Sequence, residues 1–145
     1  MTLQDLSDLH YAHQLTKYTA MAANAPFAIP RKKYSDKTAN KLTDAITDFI
    51  RLTGGYADRI NNMGVMRNGK WTRSGTRKGI ADIMASKPIE VGGRLIGVQV
   101  AIEVKIGKDR QSEDQKKIEA EVVRSGGFYI IAKDWNGFFN QWDAI

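Results

Sequence analysis

The chain has 145 residues, about one domain's worth, and no cysteine, so a disulfide framework and a thiolate metal site are both excluded. Both histidines, His10 and His13, lie near the start, a poor basis for an ordinary zinc site. The net charge is +6, no apolar run is long enough to span a bilayer, and the early Asp5 with no apolar core behind it argues against a secretory leader. The expected location is the cytoplasm.

In chain order, Leu3, Leu6, Leu9, Ala12 and Leu15 predict a helix from Leu3 to about Ala23, ended by Pro26 and Pro30. Arg31-Lys32-Lys33 follows as a basic link. Residues 1–34 read as a helical appendage, packed on the domain or on a second copy. The domain proper is residues 35–145. Leu42, Ile46, Phe49 and Ile50 give helical spacing, and Gly54-Gly55 stops that helix. Tyr56 to Asn61 reads as a first strand.

From Arg59 to Lys78 the chain carries six basic residues and no acid, which equals the whole net charge. Such a concentrated stretch reads as a polyanion site, the alternative being a solvated basic loop. Its Gly and Asn content predicts a long loop or irregular hairpin around Trp71.

Ile80–Ser86 reads as a strand, Gly92-Gly93 as a turn and Arg94–Ile106 as a long second strand. A helix is expected from Ser112 to about Arg124, closed by Gly126-Gly127. Phe128–Ala132 is a short buried strand. Asp134 caps a last helix whose Phe138, Phe139 and Trp142 read as core. The order predicts an α/β (α+β) fold, a mixed sheet flanked by helices.

The chemistry lies on the long strand. Val98, Val100, Ile102, Val104 and Ile106 fall on one face, with Gln99, Ala101, Glu103 and Lys105 on the other. Glu103 and Lys105 therefore project together. The acid-x-Lys spacing occurs once more, at Asp114–Lys116, on a predicted helix where such residues do not face each other. A two-residue turn at Gly92-Gly93 pairs Val91 with Arg94 and sets Asp82 opposite Glu103. Two opposed carboxylates repel unless a cation lies between them, and Mg²⁺ would take oxygens from both. A bulge at Pro88 would shift that register by one. The plainer alternative is a surface Glu–Lys pair with an unrelated Asp.

Gly79-Ile80-Ala81-Asp82, then Ile102-Glu103-Val104-Lys105, then a helix with Gln115, then Gly126-Gly127 before an apolar strand, resemble in their order the VRR-NUC nucleases. These belong to the PD-(D/E)xK superfamily with the restriction-endonuclease-like fold. The resemblance runs from about residue 40 to the C-terminus, and Lys105 to Ser112 looks like stand-alone, phage-type members. It implies a DNA endonuclease using Mg²⁺ or Mn²⁺, acting on branched DNA as a homodimer. Asp82 and Glu103 would be metal ligands, with the Val104 carbonyl as a third. Lys105 would orient or polarise the attacking water and stabilise charge on the phosphate. Gln115 would help position the metal site or the water.

Ser112-x-x-Gln115 is also a capping box, and the two roles of Gln115 compete. Ala81 stands where the superfamily name has Pro. Many relatives carry an acid on the first helix; here Asp44 and Asp48 are the candidates, and neither matches well. Phosphate contacts are expected from Arg59, Asn61, Arg67, Lys70, Arg73, Arg77, Lys78, Lys108 and Arg110. Trp71 either stacks on an unpaired base or covers an apolar patch. The alternative to a nuclease is a DNA-binding module that uses the same basic stretch without cleavage.

Overall fold

Leu42, Ala45, Ile46, Phe49 and Ile50 make the buried stripe of one helix, α3 (Ala39–Leu52). Thr38 caps it: its hydroxyl accepts from the Lys41 N–H. The computed structural model describes residues 1–60, 65–72 and 75–145. Before α3 come α1 (Leu3–Lys17), α2 (Thr19–Asn24) and a single 3₁₀ turn at Pro26–Ala28. After it come β1 (Tyr56–Arg59), β2 (Val65–Arg67), β3 (Lys70–Thr72), β4 (Ile83–Val91), β5 (Arg94–Val104), α4 (Glu113–Arg124), β6 (Phe128–Ala132) and α5 (Trp135–Asp143).

The main sheet has the order β1-β4-β5-β6. β4 runs antiparallel to β1 and β5, and β6 lies parallel to β5. It is therefore a mixed sheet, and α4 is the crossover that parallel pairing requires. One face packs on α3, α5 and the start of α1 through Ile83, Val100, Ile102, Ile130, Phe49, Trp135 and Phe138. The other face packs on α4 through Ala81, Ala101, Ile118 and Val122. The two side-chain sets of β5 thus serve two separate cores.

The hairpin register follows the Gly92-Gly93 turn without interruption, from Val91↔Arg94 to Ile83↔Ile102. Pro88 causes no bulge; it pairs with Gly97. β1 begins opposite Ser86, so β4 has a single neighbour where the proline lies, and that is where proline is tolerated.

Several boundaries differ from the expected ones. β4 starts at Ile83 rather than Ile80, because Ile80 donates to the Arg77 carbonyl in a turn that precedes the strand. It runs on through Pro88 to Val91. β1 stops at Arg59, and β5 stops at Val104. The single N-terminal helix is two, broken at Tyr18, whose N–H closes α1 on the Gln14 carbonyl. The strict three-residue spacing of its leucines drifts around a 3.6-residue helix. Hence Leu3 and Leu6 reach the core while Ala12 is exposed. Leu6 is fully buried, and the Trp135 indole N–H donates to the Met1 carbonyl at 2.8 Å. The N-terminal segment thus packs on the domain. Part of the basic stretch is a hairpin, β2–β3, with Asn68-Gly69 at positive φ in its turn.

Candidate active site

Three structural decisions converge on one side of the sheet. β5 aims Ala101 and Glu103 at α4, Asp82 leads into β4 and bonds the Val104 N–H, and Gln115 in the first turn of α4 reaches Glu103. Asp82 is clamped at two points. Its carbonyl accepts from the Ile60 N–H at 2.8 Å, and its Oδ2 accepts from the Val104 N–H at 2.9 Å. Among the described residues, nothing donates to Asp82 Oδ1.

Glu103 is 1% exposed. Its Oε1 takes the Lys105 ammonium at 3.0 Å and the Gln115 side-chain amide. Its Oε2 is buried and, among the described residues, receives no hydrogen bond. Burial raises the Glu103 carboxyl; the Lys105 hydrogen bond opposes this, and the charge of Asp82 adds to it. Each carboxylate thus has one oxygen tied to the protein and one left over.

Lys105 follows β5, its N–H donating to the Ala132 carbonyl at 2.9 Å. Its ammonium lies between Glu103 Oε1 and Asp109 Oδ2, the latter at 3.4 Å. Burial pulls the ammonium down, but its hydrogen bond to Glu103 and both carboxylate charges outweigh this and raise it. The turn that returns Asp109 uses Gly107 at φ 63° and an Asp109 N–H bond to the Ile106 carbonyl. Asp109 escaped the sequence reading, although its place four residues after Lys105 was a usable signal.

Gln115 holds both roles that the sequence set in competition. Its Oε1 accepts from the Ser112 N–H at 2.8 Å, completing the capping box, while its Nε2 donates to Glu103. An amide has an acceptor end and a donor end, so one residue can cap the helix and touch the site. Gln115, Ile118 and Val122 share one helical stripe, which directs the amide at the sheet.

The helix acids are used elsewhere. Asp44 pairs with Arg59 at 3.3 Å. Asp48 takes the Lys32 ammonium and the Tyr34 hydroxyl, each at 2.6 Å. Both lie on α3, across the sheet from Glu103. Among the described residues, no cluster of three or more His, Asp or Glu side chains is arranged to hold a metal. The donor set at the site is the carboxylate pair Asp82 and Glu103. An oxygen pair of that kind suits Mg²⁺ or Mn²⁺, which keep waters or substrate phosphates for the remaining positions. The orphaned Glu103 Oε2 fits such a cation: a buried carboxylate oxygen without a donor is costly unless positive charge reaches it.

The phosphate-contact candidates divide. Arg77 makes two hydrogen bonds to Glu121, at 2.6 and 2.7 Å, and Lys78 pairs with Asp114 at 2.6 Å. Arg59 bonds Asn40 as well as Asp44. Lys70, Lys108 and Arg110 are exposed and make no ion pair with a described residue. Asn61 and Arg73 lie outside the described residues, as do the side chains of Arg67 and Trp71. Among the described side chains of the basic stretch, Arg59, Arg77 and Lys78 are thus paired with α3 and α4. These pairs are exposed and weakened by solvent, so phosphate can compete for them.

Among the described residues, no helix is long and apolar enough to cross a membrane. Compared with family models, with curated proteins and with solved structures, the chain matches none.

Proposed function

We propose that the protein is a divalent-metal-dependent DNA endonuclease that hydrolyses phosphodiester bonds. One observation carries the reading: a buried carboxylate, Glu103, has one oxygen fixed by Lys105 and Gln115 and the other without a partner among the described residues, with the Asp82 charge in electrostatic range. The resemblance of Asp82, Glu103 and Lys105 to the VRR-NUC motif supports it, as does the restriction-endonuclease-like order of elements around them.

Asp82 Oδ1, Glu103 Oε2 and the Val104 carbonyl would hold the cation. Bound there, Mg²⁺ or Mn²⁺ supplies the charge that polarises a phosphoryl oxygen and eases deprotonation of water. Lys105 brings a fixed ammonium to the same place, where it orients the attacking water and offsets charge growing on the phosphate. Gln115 fixes the rotamer of Glu103. Lys70, Lys108 and Arg110, with the exchangeable Arg59, Arg77 and Lys78, draw the DNA backbone toward the carboxylates. The substrate is branched DNA and the working unit a homodimer, since paired cuts need two sites. A light-scattering mass at several concentrations tests the assembly.

The deciding experiment incubates the protein with plasmid, linear, flapped and four-way DNA, with Mg²⁺, with Mn²⁺ or with chelator. Metal-dependent cuts are expected. DNA retention without them would leave a binding module in place of an enzyme. Asp82→Ala and Lys105→Ala should each abolish cutting while leaving retention nearly intact; cutting by either variant refutes the site.

A further inference from the structure

The α4 side of the sheet holds a second buried polar atom without a partner. Tyr129, on β6, lies opposite Ala101 in the parallel register. Its ring therefore faces the same side as Ala101 and Glu103, and it packs with Met84 against Ala81, Ala101, Ile118 and Val122. Its hydroxyl is buried, with no partner at full hydrogen-bond geometry among the described residues. The Gln111 amide bonds Glu119 Oε2 at 2.8 Å, and its second N–H is near enough to the phenol oxygen to lower it, which leaves the phenol's own O–H without an acceptor among the described residues. Burial pushes the phenol up to about 12, followed by the charge of Glu103, with Glu119 and Asp82 also in range. The group is therefore a protonated donor facing carboxylates.

A donor without an acceptor and an acceptor without a donor thus lie on adjacent strands, on one face, within electrostatic reach of each other. Buried polar groups in folded proteins are paired, directly or through an ordered water, and such a water needs at least two polar partners. Tyr129 Oη, Glu103 Oε2 and the Asp82 carboxylate supply them. We propose that Tyr129 is a positioning residue of this site, its hydroxyl donating through one shared water to the free oxygen of Glu103 and so fixing that carboxylate for a divalent cation. The inference rests on the nuclease reading and adds a residue to it. Hydrogen-bond partners of ligating carboxylates typically contribute about 10–100-fold in metal affinity.

The test titrates the full chain with Mn²⁺ in a calorimeter, without DNA, for the wild type and Tyr129→Phe, and records the melting temperature of each. Phe keeps the ring and removes only the hydroxyl. Mn²⁺ binding about 10-fold weaker at an unchanged melting temperature is expected. Cleavage by the variant should fall by a similar factor at limiting Mn²⁺ and recover at saturating Mn²⁺, a split that a folding defect does not produce. Equal Mn²⁺ affinity in the two proteins overturns the role of Tyr129 and leaves the nuclease reading standing. A loss of cleavage that persists at saturating Mn²⁺ also overturns it. A wild type that binds no Mn²⁺ overturns both.

Discussion

Glu103 and Lys105 are 1% and 8% exposed, so their 3.0 Å contact is a buried ion pair rather than a surface one. Removing one member leaves the other charged and uncompensated, which costs about 3–5 kcal/mol. Lys105→Met is therefore expected to lower the urea midpoint sharply. Adding Glu103→Gln should recover most of the loss, because the buried charge then disappears with its partner. A double variant as unstable as the single one would mean that Lys105 is held by Asp109 instead. The same two residues carry the proposed chemistry, so stability and cleavage must be measured separately on every variant.

At the scale of elements, α4 is fixed to the site at its first turn. Ser112 caps it and Gln115 joins the cap to Glu103. Ser112→Ala should cost about 1 kcal/mol through the lost cap and leave cleavage largely intact. Gln115→Ala loses the cap's second half and also removes the amide that, with Lys105, fixes Glu103 Oε1, so it should weaken Mn²⁺ binding as well as stability. Thermal melts and Mn²⁺ titrations of the two variants separate cap from site; identical behaviour would reduce Gln115 to a cap. The same turn is pressed against Gly79, where φ is 81° and an added Cβ would meet the Asp114 backbone at 2.5 Å. Gly79→Ala is expected to destabilise by at least about 2 kcal/mol, from left-handed strain and overlap together. It should also loosen the Lys78–Asp114 and Arg77–Glu121 contacts that anchor the end of the basic stretch.

Across the whole molecule, the start of α1 belongs to the main core. Leu6 has no exposed surface, and Leu6→Ala should cost about 2–5 kcal/mol in a denaturant melt. Alkaline pH probes the whole chain in another way. Burial raises the Tyr34 phenol, aided by its bond to Asp48, and pushes Tyr129 up to about 12. The unfolded chain releases these protons near 10.0, while the folded chain still holds them. Their contribution is therefore complete below that pH and is lost as pH rises through the folded values. Stability should decline above pH 10, and Tyr34→Phe should flatten the decline; an unchanged slope would remove Tyr34 from the account.

The sequence by itself determined the parts that depend on local periodicity. The alternation along β5 placed Glu103 and Lys105 on one face, and the Gly92-Gly93 turn set the hairpin register that brings Asp82 to them. Both follow from chain geometry over a few residues, and the caps at Ser112 and Asp134 were legible for the same reason. Only the tertiary structure decided what surrounds those groups. Burial of Glu103 requires α4 to cover the sheet, and no single segment encodes that. Tyr129 enters through a parallel pairing whose register depends on a crossover helix. Gln115 serves cap and carboxylate together because α4 lands where both its ends are used. The basic stretch read as one charged unit, yet Arg59, Arg77 and Lys78 are paired by acids and amides from α3 and α4 that lie 15 to 44 residues away. Local period fixes which way a side chain points; long-range packing fixes what it meets there.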